Sequence, residues 1–507
     1  MNLKKIGRIM AILLLAVLMT AVTALMLARE DKMCMGVEIV TDTDYLENMQ
    51  KTDVDIRDYI LINGEKAAID KDSNTIFIPN QIYAETEVRD LKGVLDIALN
   101  EYQLKFIYCE QFENLQQAVK DNHIFKLVAI SDQGYISFDV VFTTLPVIKI
   151  STGDFMYMNG EREVWGGEMI IWSPYDDSVG DFSVKTSNIK YHHRGWTSYY
   201  SRKKNYRISF LGAEGDKRNV SLLNQGEDDD WILNAMNTDD VKIKERLCMN
   251  LWNEHVQSAD YNYKMSQGEY VEVVADGVYS GLYMLQRRLD PKYLGLSDND
   301  ILFKRTNNME YTTVEDGYEI KNSPLTEYDT YEILNDIFSK GNYQVIDPEN
   351  LADVNLFMEW AAMKDNVLKN IFFVLQDKGD EYQMRFVLWD TDMSYGIVWS
   401  PNGFIYSIEN ALKGAAHRPE TKEYVKVNPE IYDIMAEKWA VLRQGVLTEE
   451  NIQEELDECY NLIINSGAYT REKQIWGCDS YGGADTKEAM ESYISQKLAI
   501  MDEKYLN

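Results

Sequence analysis

The stretch that most constrains the fold runs from Leu351 to Gly396, LADVNLFMEWAAMKDNVLKNIFFVLQDKGDEYQMRFVLWDTDMSYG. Val354, Phe357, Met358, Ala361 and Ala362 follow i, i+3, i+4, i+7, i+8 spacing, which predicts a helix with one buried face, stopping at Asp365. Asn370 follows. Two strand-like runs, NIFFVLQ and QMRFVLW, flank DKGDE and predict a hairpin. Asp390 and Asp392 come directly after the second strand, then Ser394 and Gly396. A plain reading makes Asp365 a helix end and Asp390 and Asp392 turn residues.

The chemical reading is an acid and an amide at D-x4-N spacing, a hairpin, then a carboxylate at a strand end. This order is similar to the catalytic and metal-binding segment of protein kinases. There one Asp receives the substrate hydroxyl proton, an Asn holds a metal, and a later Asp holds metal against the phosphates.

A chain of 507 residues predicts two or three domains. The net charge of -32 argues against a nucleic-acid partner, because two polyanions repel. The 33 tyrosines and 10 tryptophans among few prolines fit a folded chain rather than a disordered coat. Cysteines 34, 109, 248, 459 and 478 lack metal-ligand spacing, and Cys248 and Cys459 fall on apolar helix faces as buried thiols. The histidines, including the His192–His193 pair, show no HExxH arrangement.

Residues 1–30 place Lys4, Lys5 and Arg8 before an apolar run from Ile9 to Ala28. A run of about 20 residues is long enough to span a bilayer, which favours an uncleaved anchor over a cleaved signal peptide. Either way, the positive flank places the remaining chain outside the cytoplasm, membrane-anchored or, after cleavage, secreted. Residues 31–145 read as a separate β-rich accessory domain with a helical pattern near Val88–Leu99 and no catalytic constellation.

From Pro146 the pattern becomes α+β. Arg194, Gly195, Trp196, Thr197 and Ser198 sit between two strand patterns, where a Gly-bearing turn with hydroxyls offers donors to a phosphate. Lys203, Lys204 and Arg207 open the next strand, the place of a kinase's phosphate-pairing lysine; an ordinary basic sheet edge is the alternative. Asp228–Asp230 reads as a solvated acidic loop. A helix capped by Thr238 or Asp239 carries Glu245 and packs Ile243, Leu247 and Leu251 on a core. Asp276-Gly277 signals a type I′ hairpin. Residues 291–350 read as turn-rich and peripheral, and 400–428 as a loop-rich insertion containing Lys413, His417 and Arg418. The remainder is helical, with Ile431, Ile434, Met435, Trp439 and Leu442 on one face and Thr448 capping the next helix.

Together these blocks resemble the CotH family, the spore-coat protein H kinases. RGWTS with KKNYRISF, DDWILNA, GVYSGLYML, KDNVLKNIFF, WDTDMSYG and EKWAVLR with Ile475-Trp476 occur in the family's order over roughly residues 146–500. The resemblance implies an atypical protein-kinase fold over 146–507, with a β-rich N-lobe and a helical C-lobe. It implies ATP-dependent phosphorylation of Ser or Thr on secreted, coat or cell-surface proteins, with Mg2+ or Mn2+. Carried over by motif, Asp365 is the catalytic acid group, and Asn370, Asp390 and Asp392 are the metal-side residues, Asp390 preferred because it directly follows the strand. Arg194, Gly195, Thr197 and Ser198 form the phosphate loop, and Lys203 or Lys204 pairs with phosphate. Arg287 departs from the family, which often has Glu there, and so bears on nucleotide binding. Two other readings remain: a metal-dependent glycosyltransferase using Asp390-x-Asp392, and a non-catalytic coat or wall scaffold on a degenerate kinase fold.

Overall fold

The computed structural model describes residues 37–40, 44–88, 94–107, 112–160, 162–175, 183–195, 197–257, 259, 261, 263–306, 313–367, 369–401, 403–413 and 419–507. The expected anchor at 1–30, Cys34, Cys109, Trp196, His417 and Arg418 lie outside them. Among the described residues no helix is long and apolar enough to cross a membrane.

The architecture is mixed α and β. Its centre is a closed seven-stranded barrel. The strands, in neighbour order, are Val147–Asn159, Arg162–Ser173, Ser183–Arg194, Asn205–Leu211, Asp230–Asn234, Val278–Arg287 and Gly268–Ala275. The last pairs in parallel with the first, Val147 opposite Glu272, and closure leaves no free edge. Side chains alternate across each strand. Ile148, Ile150, Met169 and Ile171 fill the barrel, while their neighbours Val147, Ile170 and Trp172 point outward into a second core.

That second core belongs to the N-terminal sheet of six strands, ordered Val37–Val40, Gln103–Ile107, Phe125–Ser131, Gly134–Thr143, Thr75–Pro79 and Ile69–Asp70. The sheet is joined to the barrel by shared packing. Phe77 stacks on Tyr279 with ring centroids 4.3 Å apart, and Trp172 Nε1 donates at 3.0 Å to Ile62 O, on the neighbouring short strand Ile60–Ile62. Such a stacked pair adds about 0.5–1.5 kcal/mol beyond the area it buries. The helical pattern read near Val88–Leu99 is corrected at its described end. Leu95–Ile97 is a strand paired with Ile60–Ile62, a short apolar run that periodicity cannot distinguish from a helix.

The C-terminal half holds a four-stranded sheet, ordered Tyr318–Asn322, Ile301–Arg305, Ile371–Asp377 and Tyr382–Leu388. The peripheral reading of 291–350 is therefore corrected, because Ile301–Arg305 is an interior strand with Ile301, Leu302 and Phe303 fully buried. The helix expected before Asp365 spans Pro348–Trp360. Asp347 caps it by accepting from Glu349 N and Asn350 N, and Pro348 occupies its first turn. It ends earlier than Asp365, with Ala362 at φ +53°. It is buried around its whole circumference rather than on one face. Its polar side is satisfied internally: Asp353 accepts from Tyr261 Oη at 2.5 Å and Lys438 Nζ at 3.0 Å. Helices Ile431–Gln444, Glu449–Asn465, Ala468–Trp476 and Lys487–Tyr505 complete this half, the first burying Met435, Trp439 and Leu442 as the periodicity predicts. Thr448 Oγ1 accepts from Asn451 N at 3.1 Å, the expected cap. The insertion at 400–428 is less loop-like than expected, with a strand at Gly403–Tyr406 and helices at Ile408–Leu412 and Pro419–Val427.

Candidate functional site

The central helix delivers the chain to Asp365. Asn366 then ties the following turn to the hairpin, its Nδ2 donating to Asn370 O and Trp389 O, each at 2.8 Å. Asn370 and Asp390 sit at φ +54° and +60°, a left-handed backbone that short polar residues tolerate better than most. These kinks turn Asp365, Asn370 and Asp390 toward one another. Asn370 Nδ2 donates to Asp365 Oδ2 at 2.7 Å, and Lys369 Nζ lies 3.3 Å from the same oxygen. Burial raises Asp365 above the ordinary carboxylate range, with Lys369 opposing and Asp390 adding to the rise.

Asp392 lies deeper and accepts from Thr238 Oγ1. Burial, then the charges of Asp390 and Glu245, hold its carboxyl well above the ordinary range. Glu245 lies on the Lys244–Val256 helix and accepts from Asn234 Nδ2 at 2.7 Å. Burial and the Asp390 charge push it up to about 8. That helix starts later than the sequence suggested. Asp239 reaches it by accepting from Lys244 N at 2.7 Å, while the Thr238 hydroxyl serves Asp392.

Four carboxyl groups, Glu245, Asp365, Asp390 and Asp392, thus act on one another at the end of the barrel. They cannot all ionise cheaply without added positive charge. Among the described residues, no group of three or more His, Cys, Asp or Glu converges tightly enough to hold a metal alone. The donors present are hard oxygens, which suit Mg2+ or Mn2+ rather than zinc. A cage completed by substrate phosphates is the usual arrangement for Mg2+, so this donor set fits such an ion bound with a nucleotide. Glu245 also makes the site pH-sensitive. Between pH 4.5 and about 8 the folded chain holds a proton that the unfolded chain has released, so stability falls as pH rises. In a chelating buffer, the melting-temperature advantage of Glu245→Gln over the parent is expected to grow from pH 4.5 to 8. A pH-independent difference would show that Glu245 ionises normally.

Two cations face this cluster. The Arg194 guanidinium lies 5.8 Å from the Trp389 ring centroid, and burial lowers its pKa against the pull of Asp390 and Glu245. Lys304 Nζ lies 5.4 Å from the Phe372 ring centroid and 5.9 Å from that of Trp389. Burial pushes this amine down to about 8, again against Asp390. Gly195 sits at φ +109°, and an added Cβ would come within 2.1 Å of Ser198 Oγ. Ser198 belongs to a single 3-10 turn, Thr197–Tyr200. Gly195→Ala is expected to cost about 1–3 kcal/mol by backbone strain. Adding Ser198→Ala removes the clash but not the strain, so a double variant that melts like the parent would refute the strain.

The lysines singled out from the sequence lie elsewhere. Lys203 Nζ is buried and donates to Glu472 Oε1 at 2.7 Å, Ala235 O at 3.3 Å and Leu282 O. An ammonium has three donors, and all three are used. Lys204 Nζ donates to Tyr199 O at 2.8 Å. Arg287 is also removed from the cluster. Its guanidinium bonds to Asp228 Oδ2 and Gln225 O, with the Trp231 and Tyr293 ring centroids 5.5 and 5.0 Å away. Strand alternation turns the neighbouring Gln286 toward Asn234 and Glu245 instead. Asp228 and Asp230 are accordingly buried ion-pair partners, of Arg287 and of Arg207, Lys217 and Arg288, rather than a solvated run.

Lys304 and Glu472 were not singled out from the sequence. Lys304 stands in an apolar run, ILFKR, where a lone lysine mid-strand is the only signal. Glu472 has no local signal, since its partner is 269 residues away.

The site thus joins an Asp–Asn pair and two further aspartates of the helical half to Glu245 on the Lys244–Val256 helix. The family model for CotH kinase protein matches residues 191–501, and the chain belongs to that family. No curated protein matches the chain.

Proposed function

We propose that this chain is an extracytoplasmic protein kinase that moves the γ-phosphoryl group of ATP to a Ser or Thr hydroxyl of a secreted, coat or cell-surface protein. The observation that carries this reading is the Asp365–Asn370 pair facing Asp390, Asp392 and Glu245, with Arg194 and Lys304 beside them.

Asp365 accepts a hydrogen bond from the substrate hydroxyl and takes its proton late in the transfer. Its raised pKa suits that role, and Asn370 and Lys369 fix the carboxylate's orientation. The hydroxyl oxygen forms the new bond to phosphorus as the bond to the β-phosphate oxygen breaks, and ADP leaves. Asp390 and Asp392, with Asn370 at the edge, would hold Mg2+ or Mn2+, which neutralises phosphate oxygens when bound. Arg194 and the backbone around Gly195 stabilise charge on the departing side. The N-terminal apolar segment would hold this site at the outer membrane surface, near its substrates.

The test is autophosphorylation of the full chain with labelled ATP and Mg2+ or Mn2+. Label expected on the parent must vanish in Asp390→Ala. An unlabelled parent whose melting temperature ignores nucleotide would sink the kinase and favour a scaffold. Sugar transfer from a nucleotide sugar in the same assay would favour a glycosyltransferase.

A further inference from the structure

Most buried cations among the described residues are saturated. Lys203 uses all three donors, and Lys244 is held by Asp239 at 2.9 Å and Asp485 at 2.5 Å. Arg471 bonds to Glu272, Asn122 and Ser466, and Arg287 to Asp228 and Gln225. This follows from the cost of an unpaired charge away from water, which is several kcal/mol.

Lys304 and Arg194, both half-buried, differ. Neither has a hydrogen-bond or ion-pair partner among the described residues. Lys304 is half-buried in mid-strand, on the face opposite fully buried Phe303, and its neighbour Arg305 is buried. Phe372 stands opposite Lys304 in the strand register, so the amine rises past that ring toward Trp389. Arg194 approaches Trp389 as well, from the barrel. The charge of Arg194 opposes that of Lys304, and Asp390 attracts both. Two half-buried cations without protein acceptors among the described residues, each beside an aromatic ring and drawn by Asp390, are arranged for an anion that is not part of the chain.

We infer that Lys304 is the phosphate-pairing amine of this site, gripping with Arg194 the phosphate oxygens of a bound nucleoside triphosphate, in the role that sequence order gives to Lys203 or Lys204. The inference rests on the kinase reading. It places the lysine on the helical half's sheet instead of on the barrel. Lys203 is left as a structural cation.

An ATP acyl-phosphate probe tests this on the unmodified full chain. The amine nearest the terminal phosphate attacks the probe's acyl carbon, the acyl–phosphate bond breaks, the nucleotide leaves, and an amide remains on Nζ. Peptide mapping is expected to find the acyl group on Lys304, with labelling suppressed by excess Mg-ATP. Suppressible label on Lys203 or Lys204, with Lys304 bare, overturns the inference while leaving the kinase reading intact. No suppressible label anywhere, with no thermal response to Mg-ATP, removes the kinase reading and the inference with it. Titration supplies the second arm. Lys304→Met is expected to weaken Mg-ATP binding at least about tenfold, equal to about 1.4 kcal/mol, and Lys304→Arg to recover most of it. Equal Mg-ATP affinity in the parent and Lys304→Met overturns the assignment. Inorganic phosphate, titrated alone, distinguishes a general anion cradle from one that needs the nucleotide: binding as tight as that of Mg-ATP would overturn the triphosphate assignment.

Discussion

Asp365→Asn is expected to lower phosphoryl transfer by about 10²–10⁴-fold, the range for losing a positioned general base. The amide keeps an acceptor for Asn370 Nδ2, so the turn built by Asn366 should survive. Nucleotide affinity should change little, because in the proposed mechanism Asp365 serves the hydroxyl and not the phosphates. The signature is thus a fall in turnover with an unshifted Mg-ATP titration. Near-parental turnover would remove Asp365 from the chemistry. Loss of nucleotide binding instead would move Asp365 to the metal side of the site.

The second large effect is on stability. Glu472 is fully buried and serves Lys203, Lys242 at 3.6 Å and Leu282 N at 2.9 Å. Glu472→Ala strands two buried lysines and a strand N–H, and is expected to destabilise the fold by about 3–5 kcal/mol. Lys203→Met alone leaves Glu472 with Lys242 and should cost less. In a double-mutant cycle the two losses should not add, because they share one network. Denaturant unfolding measures all three variants. Additive losses would show that Lys203 and Glu472 do not interact.

The sequence was most legible where function and local order coincide. The hairpin with its flanking Asp365, Asn370 and Asp390 lies within one short stretch, so spacing alone could group them. Barrel strands on either side of Arg194–Ser198 and of Asp276-Gly277 were visible in the sequence, but the closure of the barrel was not, since the parallel pairing of Val147 with Glu272 has no local trace. Asp228 and Asp230 looked solvated because a charge run normally is; only the fold reveals the arginines that draw them inside. Lys203 looked functional because it follows a glycine turn. Its true partner lies on a helix near the C-terminus, and that distance hides both its role and the vacancy it leaves for Lys304 to fill.

The helix Ala468–Trp476 carries a mechanical consequence. Arg471 grips Glu272 on one barrel strand, Glu472 grips Lys203 and the backbone of the next, and Trp476 Nε1 donates to Ser280 O at 3.0 Å. The tail of the chain thereby rivets the barrel to the helical half behind the site. Hinged kinases are switched by swinging their two halves or an interposed helix. Here such a swing would have to separate the buried pairs Arg471–Glu272 and Glu472–Lys203. On the proposed kinase reading, control then lies in what reaches the site: which proteins pass nearby, and whether nucleotide and metal are supplied where it stands.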